Sequence, residues 1–235
     1  MVLSRDLTIL VPVDISASET PSLSILDLLG PIDVVLLGYF PVPSQAEPAL
    51  IKDEYGAEST RRLADIVAGR QRVTDVLVFT HDRTATIDRI ADEYDCDAVL
   101  AGGDTTAIGR ILVPLRGDVN LERIVSVVAD LLLASEATVT LFHAIPEDTD
   151  PSQGEFLLRG ASDRIADFGV ETDRIHRRLS EGGDHVAEII ALGSEFDLVI
   201  LGETEPSLRE RIIGDVPSRI IEDIEIPALI VRDVA

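Results

Sequence analysis

The hexapeptide DLVILG, Asp197–Gly202, echoes DAVLAG, Asp97–Gly102, at an offset of 100 residues. An aspartate, four apolar residues and a glycine spell one short buried strand and its exit. Finding the pair twice raises the question of a duplicated unit, which has to be settled before any fold is read. Neighbouring blocks settle it. TILVPVDIS from Thr8 is matched by RILVPLRGD from Arg110, with Leu-Val-Pro at Leu10 and Leu112, an offset of 102. DVVLLGYFP, ending at Pro41, is matched by TVTLFHAIP, ending at Pro146, an offset of 105. Three blocks in one order at nearly one spacing predict two copies of one unit, residues 1–106 and 107–235.

Each copy reads as strands alternating with helices. The strand segments are unbroken apolar runs: LTILVPV, IDVVLLGYF, VTDVLVF and DAVLAG, then RILVPL, TVTLFHAI, IHRRL and DLVILG. Unbroken apolar strands separated by helices predict a parallel sheet covered on both faces. Thr20 before Pro21, Asn120 before LERIVSVVADLLLA and Asp184 before HVAEIIAL read as helix caps. The fold class is therefore α/β, two tandem doubly wound parallel-sheet modules of the Rossmann-like kind. Ligands of such sheets sit beyond the carboxyl ends of the strands. The copies are unequal. After DLVILG the second adds a turn, a helix near residues 216–223 and a fifth strand, PALIVRDV. After DAVLAGG the first has only DTTA, so it lacks that turn, helix and strand.

Composition narrows the function. The chain has 235 residues, 43 acidic and 20 basic, for a net charge of −23, and Lys52 is its one lysine. Such a surface repels nucleic acid, whose binding rests on neutralised phosphates. It also repels itself, unless molar salt screens it, so an extreme halophile is the expected source. No run approaches the ~20 apolar residues of a membrane span. The start MVLSRDLTILVPVD leads straight into a strand, so no signal peptide and a cytoplasmic location are expected. Cys96 is the single cysteine, read as a buried thiol at a helix–strand join. The four histidines, His81, His143, His176 and His185, show no ligand spacing. SEGGDH, Ser180–His185, reads as a strand exit and helix start.

The ordered pieces resemble the universal stress protein family over nearly the whole chain, as a tandem pair. In that family the first strand ends in Val-Pro-Val-Asp-Gly-Ser. The fourth ends in Gly-x2-Gly-x9-Gly-Ser/Thr, and a helix then leads to a Pro-Val-Leu-Val-Val strand. VPVDIS, Val11–Ser16, matches the first pattern with Ile15 in place of Gly, and GDVPSRIIEDIEIPALIV, Gly214–Val231, matches the end of the second. The resemblance implies an ATP or AMP ligand. Val13 and Asp14 would meet its ribose and adenine side, backbone at Ala144 the adenine, and Gly202, Gly214 and the residue at Asp215 the phosphates.

Neither copy is complete on that pattern. The first keeps Asp14 without a phosphate turn. The second has Glu205 in place of the middle glycine, Asp215 in place of Ser/Thr and Arg116 in place of the first-strand Asp. Glu203, Glu205 and Asp215 would repel a phosphate. Arg116, Arg209 and Arg211 would attract one through side chains, or else pair with those carboxylates. The expected function is a non-catalytic regulatory or scaffold protein acting on an unknown protein partner. An adenine-nucleotide sensor, with slow ATP hydrolysis, is the rival reading, and a stand-alone relative of transporter regulatory domains a third. The fifth strand reads as an apolar sheet edge. Either Pro227, Ala228, Leu229, Ile230 and Val231 pair between two chains, giving a homodimer, or the strand docks on the first copy.

Overall fold

A computed structural model of the chain describes residues 7–16, 25–26, 29–102, 105, 107–116, 120–145, 151–180, 185–203 and 226–233. The first half supplies strands β1 (Thr8–Asp14), β2 (Asp33–Pro41), β3 (Val73–Thr80) and β4 (Ala98–Ala101), with helices α1 (Pro48–Val67) and α2 (Arg83–Glu93). The second supplies β5 (Arg110–Pro114), β6 (Thr138–His143), β7 (Ile175–Leu179), β8 (Leu198–Gly202) and β9 (Ala228–Val231). Its helices are α3 (Leu121–Leu133), α4 (Pro151–Asp167) and α5 (His185–Gly193).

All nine strands join one sheet in the order β3-β2-β1-β4-β9-β8-β5-β6-β7. The four strands on each side of β9 follow the same internal order. Pairing is parallel within each side, and β9 is parallel to β8 but antiparallel to β4. The strands of the first half therefore run opposite to those of the second. Their carboxyl ends, where each cleft opens, lie at opposite ends of the sheet.

Strand alternation sorts the core into layers. Ile9, Val11 and Val13 of β1 and Ile111 and Val113 of β5 face a layer that runs through both halves beneath α1, α3 and α4. Leu10 faces a separate layer under α2, and Leu112 one under α5. Both strand faces are dry, which is why these strands read as unbroken apolar runs. α3 buries Ile124, Val125, Val128, Leu131 and Leu132 among others, each worth about 1.5–3 kcal/mol of burial.

The recurring aspartates do matched work. Asp97 at the foot of β4 accepts from the Thr8 N–H at 3.0 Å, and Asp197 at the foot of β8 accepts from the Gly109 and Arg110 N–H groups at 2.9 and 2.8 Å. Each carboxylate thus pins the start of its half's first strand.

One expectation changes and another is decided. Asn120 does not cap α3 with its side chain. It sits in the left-handed region at φ 55°, and its Nδ2 donates across to the Val231 carbonyl at 3.3 Å. Of the two outcomes read for the strand Ala228–Val231, the structure takes docking on the first copy and not an exposed edge. The strand's residues pair with Ala98–Ala101 on one side and Val199–Gly202 on the other, and the Pro227 carbonyl accepts from Val199 N–H. With both rows of backbone groups used inside one chain, Pro227–Val231 offer no surface to a second copy. Among the described residues the first half has four strands, and β9 lies beside the last of them in the reverse direction. The caps read at Thr20 and Asp184 and the helix near 216–223 lie outside the described residues.

Side chains lock this seam. Arg232, 5% exposed, donates from Nη1 to the Cys96 carbonyl at 3.1 Å and from Nη2 to the Asp92 carboxylate. Its N–H reaches the Asp97 carbonyl at 2.9 Å. From α3, Arg123 Nη2 meets the other oxygen of Asp97 at 3.0 Å.

Candidate functional site

The carboxyl ends of β1 and β2 form the first half's cleft. Val13 is buried in the common core layer, so its side chain packs under the cleft rather than into it. Asp14 stands half-exposed at the strand end, and its Oδ1 accepts from both the Ser16 N–H at 2.9 Å and the Ser16 hydroxyl at 2.6 Å. This closed turn uses one oxygen of the residue expected to meet a ribose. Beside it the Arg83 guanidinium lies 5.1 Å over the Tyr39 ring. Burial pushes the Tyr39 phenol above its ordinary value, against the pull of Arg83 and with a small push from Asp14. The Arg83–Tyr39 stack gave no sequence signal, because no spacing rule joins residues on different elements.

In the second half, Arg116, Ala144 and Gly202 gather at the carboxyl ends of β5, β6 and β8. Arg116 is exposed and makes no ion pair among the described residues. Ala144 is half-buried against the layer under α5. His143 donates from Nδ1 to the Leu115 carbonyl at 2.8 Å, a carbonyl being an acceptor only. Its ring lies against α4, where a Cβ on Gly154 would come within 2.7 Å of Cδ2. That histidine ties β5, β6 and α4 together. Asp14 belongs to the opposite end of the sheet, so the candidates read from the sequence do not converge on one site.

Gly202 and Glu203 depart most from expectation. A Cβ on Gly202 would stand 2.5 Å from Ile124 Cδ1, and its φ lies outside the left-handed region. Packing by α3, not an unusual backbone turn, demands glycine here. Gly102, its counterpart in the first half, does adopt a left-handed φ of 64°. Glu203 is turned inward. It is 3% exposed, and its Oε2 accepts from the Asp233 N–H while its own N–H reaches the Val231 carbonyl at 2.9 Å. The charge read as repelling a ligand instead fastens the end of β9. Arg209, Arg211, Gly214, Asp215 and Glu205 lie outside the described residues.

A groove of about 270 Å³ between α4 and β7 is lined by Glu155, Leu158, Arg159, Arg177 and Leu179. Among the described residues no group of His, Cys, Asp and Glu is placed to hold a metal ion, and no helix is long and apolar enough to cross a membrane.

A doubly wound sheet whose clefts open at the strands' carboxyl ends defines the Rossmann-like class of α/β proteins. Within that class the chain belongs to the universal stress protein family, whose profile matches residues 107–232. A universal stress protein from Archaeoglobus fulgidus is similar in fold, at 13% identity, with 97% of each chain covered and a TM-score of 0.69. A Pseudomonas aeruginosa protein described as a candidate universal stress protein matches at 16% identity, over 97% of this chain and 94% of that one, with a TM-score of 0.59. The cytoplasmic domain of a prokaryotic cation chloride cotransporter matches at 14% identity, over 97% and 96%, with a TM-score of 0.53. These three likenesses are of fold. No curated protein matches the sequence.

Proposed function

We propose that the chain is a non-catalytic regulatory or scaffold protein of stress response, made of two duplicated modules and acting through a protein partner. Its nucleotide site is degenerate. The observation that carries this reading is the commitment of Gly202 and Glu203 to internal contacts with Ile124 and Asp233. The residues that open the phosphate turn serve packing and the closure of β9. The surface, at net charge −23 with one lysine, suits the cytoplasm of a cell that holds molar salt.

Calorimetry with ATP and magnesium in molar KCl tests the proposal. No heat of binding is expected, and a micromolar dissociation constant overturns it. Glu205→Gly combined with Asp215→Ser distinguishes lost chemistry from lost backbone shape. Binding gained in that variant means that only the two carboxylates stood in the way.

One observation favours a second reading, an ATP or AMP sensor. Arg116 lies exposed and without an ion pair among the described residues, at the mouth of the second half's cleft. A guanidinium there would hold a phosphate by side chain where the backbone turn does not. The same titration on Arg116→Ala decides whether any affinity found depends on it.

A further inference from the structure

The groove between α4 and β7 has a wall that combines two guanidiniums, one carboxylate and two leucines. Helical spacing brings Glu155, Leu158 and Arg159 to one face of α4. Strand alternation brings Arg177 and Leu179 to the side of β7 that carries Ile175, and Ile175 and Leu158 belong to one core layer. Gly154 sets α4 close against the end of β7, since a Cβ there would stand 2.8 Å from Leu179 Cδ2. Leu158, 2% exposed, and the half-buried Leu179 give the groove an apolar floor, while Glu155, Arg159 and Arg177 are exposed. These charged residues do not use one another. A glutamate four residues before an arginine is the favoured order for an ion pair on a helix. Glu58 and Arg62 of α1 take it at 2.8 Å, and Arg89 and Glu93 of α2 pair in the reverse order at 2.9 Å. Glu155 and Arg159 have the same spacing and make no ion pair or hydrogen bond among the described residues, and neither does Arg177. In a chain of 43 acidic and 20 basic residues, two arginines facing one groove without a carboxylate partner are an exception.

We propose that this groove binds a small zwitterion, an α-amino acid with an apolar side chain. Its carboxylate fits between the guanidiniums of Arg159 and Arg177, its ammonium meets Glu155, and its side chain lies over Leu158 and Leu179. Each lining group then has a partner of matching chemistry. Charge favours the zwitterion over a plain anion. A chain at net charge −23 repels an anion, and a ligand without net charge avoids that repulsion. Size agrees. The volume of about 270 Å³ falls just under the ~300–1,000 Å³ of pockets for larger organic ligands. None of the five lining residues is among those the family pattern assigns to a nucleotide, so the site stands whether or not ATP binds.

Backbone amide chemical shifts of the full chain in molar KCl, titrated with L-leucine, test the proposal. Saturating shifts are expected at residues 155–159 and 177–179. Two probes each remove one charge from the same skeleton: isocaproate lacks the ammonium and isoamylamine lacks the carboxylate. Each is expected to bind about tenfold more weakly than leucine, the loss of one charge-assisted contact. Glu155→Gln should bring leucine and isocaproate to like affinity. Arg177→Ala should weaken leucine about tenfold and leave the unfolding transition in place, since the side chain is exposed. The absence of a saturating shift with leucine overturns the proposal. So does a wild-type chain that takes isocaproate as tightly as leucine, which marks a plain anion site, or binding that Arg177→Ala does not change. If a variant does not fold, the three probes on the wild-type chain decide.

Discussion

Gly202→Ala separates a packing glycine from a phosphate-binding one. The added Cβ would lie 2.5 Å from Ile124 Cδ1 and 3.4 Å from its Cγ1. Ile124 is 4% exposed, so that methyl has little room to retreat. Overpacking of this kind costs about 1–3 kcal/mol. Because the backbone at Gly202 is not left-handed, alanine adds no backbone strain. It also returns about 0.4–1 kcal/mol by restricting the unfolded chain. The net expectation is a loss of about 1–2 kcal/mol. Ile124→Val alone should cost about 0.5–1.5 kcal/mol, but it deletes the one atom in the way and leaves an ordinary 3.4 Å contact. In the Ile124→Val background the alanine is therefore expected to be neutral or stabilising, a change of sign with a coupling of about 1 kcal/mol or more. Urea titrations of the four proteins in molar KCl measure this cycle. Losses that add to within about 0.5 kcal/mol would refute the packing explanation and return Gly202 to the phosphate turn.

Cys96 is fully buried, and burial chiefly pushes its thiol up to about 12. At pH 8 the native thiolate should be about a thousand-fold scarcer than that of a free cysteine. A disulfide reagent should therefore label it only on unfolding, and stoichiometric labelling of folded protein contradicts this. At the seam, Arg232 is buried while the Asp92 side chain is 70% exposed. Asp92→Ala strands a buried cation and should cost about 2–3 kcal/mol, whereas Arg232→Met leaves a hydrated carboxylate and should cost about 1 kcal/mol. The reverse ranking in denaturant titrations is the outcome that defeats it. With net charge −23, the melting temperature should climb from dilute buffer to molar KCl, and a flat profile would count against a halophilic surface.

The strands and their order were legible because both faces of the sheet are dry, which turns each strand into an unbroken apolar run. The match between β4 and β8 was legible for the same reason, since Asp97 and Asp197 start strands that hold the same place in the order of each half. What those aspartates do was not legible. Their partners, Thr8 and Gly109, lie 89 and 88 residues away. Asn120 was misread because a local rule links an asparagine to the helix after it, while its acceptor is Val231, 111 residues on. What Glu203 holds was not legible, because alternation along a strand says nothing about which way the chain turns on leaving it. Gly202 read as part of a phosphate turn, and its close approach to Ile124 could not be seen because the two lie on different elements. The fate of β9 needed the whole topology. A four-residue apolar strand reads alike at an edge or in the middle of a sheet.

That topology also limits what the two clefts can do together. The first half keeps Asp14 and the second keeps Gly202, so a single site pooled from both halves would restore more of the family pattern than either holds alone. The sheet forbids it. β1 runs parallel to β4, β4 antiparallel to β9, and β9 parallel to β8. Asp14 and Gly202 therefore end strands that point in opposite directions, with β4 and β9 between them. What does meet at the second cleft's border is the foot of the first half. Asp97 holds Arg123 of α3, and the Asp97 carbonyl and Asp92 hold Arg232 at the end of β9. Glu203 and Asp233 join the exit of β8 to the exit of β9 beside that seam. Each half must bind by its own residues or not at all. Any communication between them has to pass through β9, the Asp97–Arg123 contact or the core layer that both halves line.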